Sequence, residues 1–158
     1  MHVTVLAVGK LKEKYLREGC QEYIKRLSAY AKVDVIEIAE ERCSDHPAES
    51  EKQQVMEKEG QRILSKIPKG AYVIPLCIEG QEYSSEAFAD CFSKISMQNS
   101  SVVFIIGGSF GLSPTVKALG KLKFSFGKMT LPHQLARLVL LEQIYRAFSI
   151  QANTKYHK

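Results

Sequence analysis

Three glycines fall within five residues in Gly107-Gly108-Ser109-Phe110-Gly111, between the apolar run Val102 to Ile106 and a helix start at Ser113-Pro114. Glycines in such a place let a backbone approach a ligand closely and take up positive φ. Their spacing is wrong for a dinucleotide fingerprint. Downstream, Gly127-Lys128-Met129-Thr130 is no phosphate-binding P-loop either, because Met129 separates the lysine from the threonine and Leu122 stands where the first glycine is needed. Nicotinamide enzymes and nucleoside triphosphatases therefore drop out as leading readings. What remains is a glycine-rich loop that either cradles another ligand or makes a tight turn.

Metal and thiol chemistry find less support. Cys20, Cys43, Cys77 and Cys91 contain no Cys-x-x-Cys pair, and Cys43 with His46 is the only close Cys/His couple. Two ligands in a polar loop do not make a metal site, so no metal is expected, and the cysteines read as reduced thiols in a reducing cytosol, with Cys20, Cys77 and Cys91 on apolar positions. Charge is more telling once it is located. The net +5 divides into −2 over residues 1 to 116 and +7 over residues 117 to 158, where Glu142 is the only acid. Lys117, Lys121, Lys123, Lys128, Arg137, Arg146, Lys155 and Lys158 are interleaved there with Phe124, Phe126, Tyr145, Phe148 and Tyr156. That mixture suits phosphates and stacked bases, or else forms a solvated basic face.

The elements that must position these groups can be read from periodicity. His2 to Val8 reads as a buried strand, Tyr15 to Ala29 as a helix with Leu16, Cys20, Tyr23, Ile24 and Leu27 at helical spacing, and Lys32 to Ile38 as a second strand. Ala39 to Ser50 is polar, contains Pro47 and reads as the least ordered connection. It precedes a charged amphipathic helix with Val55, Met56, Ile63, Leu64 and Ile67 inward. Tyr72 to Ile78 is the third strand. Ser84 or Ser85 then caps a helix turning Phe88, Cys91, Phe92 and Ile95 inward, and Ser101 to Ile106 is the fourth strand. Ser113 as N-cap and Pro114 start a short helix, Leu122 to Phe126 is the fifth strand, and a long helix runs from about Pro132 to Ile150. This alternation predicts one α/β domain over residues 1–158, a mainly parallel sheet with helices on both faces.

In the last helix Leu135, Leu138, Val139, Leu140, Leu141, Ile144, Tyr145 and Phe148 cover more than one face. A second apolar face needs a second partner, which a homodimer supplies unless the helix is wholly buried within one chain. The longest unbroken apolar run is five residues, Val102 to Ile106, and Lys10, Lys12, Glu13 and Lys14 interrupt the N-terminus. A soluble, cytoplasmic protein without a membrane role is expected.

Five ordered segments carry a resemblance that spans the chain: Leu6-Ala7-Val8-Gly9-Lys10; Ile106-Gly107-Gly108-Ser109 with Gly111-Leu112; Met129-Thr130-Leu131-Pro132-His133; Glu142-Gln143-Ile144-Tyr145-Arg146-Ala147; and the ending Tyr156-His157-Lys158. Together they resemble the RlmH family of SPOUT-class methyltransferases, which act on large-subunit ribosomal RNA. The resemblance implies a SPOUT-type fold with a C-terminal trefoil knot, an obligate homodimer, S-adenosylmethionine as cofactor, and methylation of the N3 nitrogen of a pseudouridine in ribosomal RNA or the assembled ribosome. Residue by residue it implies a cofactor site of Leu76, Gly107, Gly108, Phe126, Gly127, Lys128, Met129, Thr130, Leu131 and Pro132.

The acceptor nitrogen then carries a weakly acidic proton, for which His133, His157, Arg146 and Tyr156 are the candidate catalytic residues. Arg146 would anchor phosphate or base, and Tyr156 and His157 would hold the target base from a tail reaching the partner's pocket, with His157 favoured as proton acceptor. Glu142 reads as the i, i+4 neighbour of Arg146 rather than as a base. Phe110 stands where several relatives carry a polar residue. Methylation of another RNA position, or RNA binding without catalysis, are the alternative readings.

Overall fold

The computed structural model describes all 158 residues. The elements are β1 (His2–Val8), α1 (Lys14–Leu27), β2 (Lys32–Ile38), α2 (Glu49–Leu64), β3 (Tyr72–Glu82), α3 (Ser85–Gln98), β4 (Ser101–Ile106), α4 (Pro114–Ala118), β5 (Phe124–Ser125) and α5 (His133–Gln151). Five strands form one sheet in the order β2-β1-β4-β3-β5, and every neighbouring pair is parallel. Because successive strand residues face opposite sides, β1 and β4 feed two cores. Val3, Val5, Ala7, Val102, Phe104 and Ile106 pack with α1, α3 and α5 on one side. Leu6, Val8, Val103 and Ile105 pack with Ile63 of α2 and Val116 of α4 on the other. No helix is long and apolar enough to cross a membrane.

Local chemistry sets the boundaries as the sequence predicts. The Ser84 hydroxyl accepts from the Ala87 amide (3.1 Å) and the Ser113 hydroxyl from the Val116 amide (3.3 Å), each satisfying a free N–H in a first helical turn. Three readings change. The fifth strand shrinks from Leu122–Phe126 to Phe124–Ser125, and the third lengthens past Ile78 to Glu82, because β3 carries an irregularity between Leu76 and Gln81 that lets both residues pair with Phe124. In α2 the buried row is Val55, Glu59, Gly60 and Ile63, so of the apolar face read from the sequence Leu64 is exposed, and a carboxyl and a glycine lie against the β4–α4 loop. The Ala39–Ser50 connection has no regular structure before α2, yet side chains of α2 hold it: Arg62 bonds the Ala39 carbonyl and the Glu41 carboxylate, and Glu51 accepts from both the amide and the hydroxyl of Ser44.

The cysteines are free, with Cys20 buried, Cys77 and Cys91 half-buried and Cys43 exposed. From His133 to Ile150, α5 has no fully exposed residue. Leu140, Leu141 and Ile144 are completely buried between α1 and α3, while Leu135, Leu138, Val139 and Tyr145 stay half-buried. The chain thus absorbs much of the wide apolar surface itself. Gly19 of α1 makes this possible, since a Cβ there would stand 3.0 Å from Leu138.

Candidate active site

A cavity of about 590 Å³ opens beyond the carboxyl ends of β3, β4 and β5, where ligands collect in open α/β sheets. Leu76 comes from β3, Gly107 and Gly108 from the loop after β4, and Phe126, Gly127, Met129, Thr130, Leu131 and Pro132 from the segment between β5 and α5. Nine of the ten residues expected to hold a cofactor therefore line one space. Lys128 does not; its side chain is exposed.

The glycine-rich loop closes on itself. The Gly111 amide donates to the Gly108 carbonyl (3.1 Å), and Gly111 takes φ +84°, a conformation that an L side chain adopts only under strain. At Gly107 the reason for glycine differs from the sequence reading. A Cβ there would meet the Gly111 carbonyl carbon at 2.8 Å, so glycine is required by the fold of the loop and not only by space for a ligand.

Ser125 was not among the sequence candidates, yet it joins two walls. Its hydroxyl donates to the Ile78 carbonyl (3.0 Å) and accepts from the Gly127 amide (3.0 Å), fixing the irregular part of β3 to the segment after β5. Glu79 and Lys117, also on the cavity wall, form an ion pair of 2.5 Å, and the lysine holds the Glu79 carboxyl below the usual range. Neither residue belongs to a motif, and strand bulges leave no periodic signal. His133 lines the same cavity with its Nδ1 buried and unpartnered, and its Nε2 3.5 Å from Glu40 Oε1. Phe110 also faces this space, with the Lys52 ammonium 5.9 Å from its ring centroid.

The other three candidates lie elsewhere. Arg146 is thirteen residues beyond His133 on α5, about 20 Å along the helix at 1.5 Å per residue. There it is bound to Glu142 through Nε (2.9 Å) and Nη2, and its Nη1 donates to His157 Nδ1 (3.1 Å). That bond makes Nδ1 the acceptor, so His157 carries its proton on Nε2 and donates it to Glu86 (2.8 Å). The Tyr156 hydroxyl donates to Glu142 (3.0 Å) and accepts from Tyr23 (3.1 Å), while its ring lies under the Arg146 guanidinium. Burial pushes the Tyr156 phenol upward, and its bonds to Tyr23 and Glu142 add to the shift.

Of the eight basic residues in the last quarter, Arg137 is 2% exposed, bonded to Glu37 and the Gly9 carbonyl. With Lys117 and Arg146 also paired, the exposed cations are Lys121, Lys123, Lys128, Lys155 and Lys158. The basic surface is therefore narrower than the sequence count implied.

Comparison with known proteins gives this arrangement a family. Residues 1–157 match the family described as "Predicted SPOUT methyltransferase". Proteins named ribosomal RNA large subunit methyltransferase H are similar over full length on both sides: that of Streptococcus gordonii is 54% identical and that of Streptococcus sanguinis 51%, each over 100% of both chains. A crystal structure described as a probable rRNA-methyltransferase from Porphyromonas gingivalis shares the fold, with TM-score 0.55 at 15% identity over 95% of this chain and 69% of that one. With the parallel sheet and the glycine-lined cavity beyond its strand ends, these matches show that the chain belongs to the SPOUT methyltransferases, within the family of ribosomal RNA large subunit methyltransferase H.

Proposed function

We propose that the protein transfers a methyl group from S-adenosylmethionine to the N3 nitrogen of a pseudouridine in large-subunit ribosomal RNA, working as a homodimer in the cytoplasm. The observation that carries this reading is the cavity: about 590 Å³, walled by Leu76, Gly107, Gly108 and residues 126–127 and 129–132, a size and a mix of apolar side chains and glycine backbone suited to a nucleoside with an amino-acid arm. When bound, the cofactor supplies an electrophilic methyl. Leu76, Phe126 and Leu131 offer an apolar slot, and the backbone of the two glycine-containing segments offers hydrogen bonds. Displacement at a methyl needs no covalent enzyme intermediate, so holding the reactants in line supplies much of the rate.

The distance of about 20 Å between His133 and Arg146 supports a site shared between two protomers. In that arrangement the Arg146, Tyr156 and His157 of one chain serve the cavity of its partner, and the half-buried Leu135 and Val139, which are not packed against the chain's own core as Leu138 and Tyr145 are, lie toward the interface. His157 takes the acceptor proton once its Nδ1 parts from Arg146, and Arg146 anchors phosphate or base. The exposed lysines attract the RNA backbone. The strand order, with β5 beside β3 and α5 returning between α1 and α3, fits the trefoil knot that the family resemblance implies.

The test is methyl transfer from labelled cofactor to whole ribosomes, separate subunits and naked RNA, with mass spectrometry of the product nucleosides. A methylated pseudouridine is expected; another modified nucleoside would overturn the N3 assignment, and no transfer with retained RNA binding would favour a non-catalytic module. Mixing a chain lacking residues 156–158 with one blocked at the cavity should restore activity if sites are shared.

A further inference from the structure

Glu59 is a charged residue where an apolar one would serve packing. It is 4% exposed, on the α2 face that meets the β4–α4 loop. Its Oε2 accepts from the Glu41 amide (3.1 Å), but Oε1 is buried with no hydrogen-bond partner. Both oxygens look toward the wall of the cavity: a Cβ on Gly108 would stand 3.1 Å from Oε1 and 3.3 Å from Oε2. Gly108 itself lines the cavity, so the carboxyl is separated from an occupant by a single residue without a side chain.

Other acids nearby are already compensated. Glu79 is paired with Lys117, Glu41 with Arg62 and Lys58, and Glu37 with Arg137, while the half-exposed Glu40 faces His133. Glu59 has no such cation in contact. A buried, unpaired carboxylate is costly unless a positive charge offsets it, and the nearby Arg62, bound to Glu41 and the Ala39 carbonyl, offsets it only in part.

We infer that Glu59 is a specificity-determining residue, whose carboxylate, acting through the bare Gly108 wall, favours a cationic occupant of the cavity over a neutral one. This rests on the cofactor reading above and deepens it. The sulfonium of S-adenosylmethionine is the charge that disappears on methyl transfer, when the product becomes the thioether S-adenosylhomocysteine, whereas the ammonium and carboxylate of the amino-acid arm are common to both. A fixed anion behind the wall thus holds substrate cofactor more tightly than product and aids release after each turnover. Burial raises the Glu59 carboxyl above its usual range, with Glu40 and Glu41 adding to the rise and the Glu41 amide and Arg62 opposing it. The preference should accordingly grow as pH rises through that titration. Glu40 and Glu41 from the β2–α2 connection and His133 from α5 are the other titratable groups at this corner, with Arg62 of α2 the charged one.

The experiment is calorimetric affinity for S-adenosylmethionine and S-adenosylhomocysteine across pH, for wild type and Glu59→Gln, a change that keeps shape and removes only the charge. The ratio of the two affinities should fall about tenfold in Glu59→Gln, the effect expected of one charge at roughly 10 Å through an effective dielectric of about 20. Its pH dependence, present in wild type, should vanish. An equal loss of both affinities would make Glu59 merely structural, and a pH dependence surviving in Glu59→Gln would assign it to another group of this corner; either overturns the inference. The wild-type pH profile needs no variant, and a flat one overturns it as well. If wild type binds neither ligand, the cofactor reading itself fails and takes this inference with it.

Discussion

The two ends of α5 are built on opposite principles. At the His133 end the walls are glycines, backbone groups and apolar side chains around an open space, and a buried ring nitrogen lacks a partner. At the Arg146 end the polar atoms of Arg146, Glu142, Tyr156, Tyr23, His157 and Glu86 satisfy one another. One end is an open space walled by backbone and apolar groups; the other is a closed network of hydrogen bonds, which on the proposed reading gives up contacts when it acts. A helix that carries both holds them about 20 Å apart within one chain, and in the proposed arrangement a second copy brings them to one reaction.

The largest effect should come from separating the two ends. Removing Tyr156, His157 and Lys158 is expected to lower single-turnover methyl transfer by roughly 100-fold, because orientation of the acceptor is lost, while S-adenosylmethionine affinity stays within about twofold. A matching fall in affinity would place the tail at the cofactor instead. Next, Gly107→Val forces a side chain against the Gly111 backbone, where a Cβ already lies 2.8 Å from the carbonyl carbon. Cofactor affinity should fall by more than about tenfold, with overpacking costing about 1–3 kcal/mol in thermal unfolding. Unchanged affinity would remove the loop from the site.

At the closed end, Glu142→Gln leaves Arg146 and Tyr156 without their shared carboxylate, and a loss of about 1–2 kcal/mol in denaturant unfolding is expected from a partly exposed charged hydrogen-bond pair. Cofactor affinity should not change; if it does, the two ends communicate within one chain. The smallest effect is on pH. The Glu86 carboxyl is held below its usual range by its own backbone amide and then by His157. A depressed acid stabilises above its unfolded value and loses that contribution as pH falls through the folded one. The part of tail protection that Glu86 supplies, read by hydrogen exchange at residues 154–158, should therefore fade in the acidic range below about 4.5 and be absent in Glu86→Gln.

Some of this was legible before any fold was known. The first two strands are found where the sequence placed them, the buried run His2–Val8 and the alternating Lys32–Ile38; Ser113 caps its helix as expected, and of Ser84 and Ser85 it is Ser84 that caps the other. Hydrophobic period and capping chemistry are local, so a sequence carries them directly. The segments that line the cavity came from the family resemblance; of them only the Gly107–Gly111 loop stood out by its own residues, because clustered glycines mark backbone conformations that few other residues adopt. Ser125, the Glu79–Lys117 pair and Glu59 were not legible, since each acts through a residue far away in the chain: Ile78, a partner 38 positions distant, and Gly108.

Charge shows the same divide. The sequence determined that the last quarter is basic, but the counts could not tell an exposed lysine from Arg137, which the sheet buries against Glu37. The sequence by itself also determined that α5 is too apolar for a single contact face. Only the tertiary structure decided that α1 and α3 take up most of that surface, and that His133 and Arg146 part company along it. The physical reason is that helix formation depends on neighbours within four residues, whereas burial, pairing and distance depend on which elements the sheet brings together.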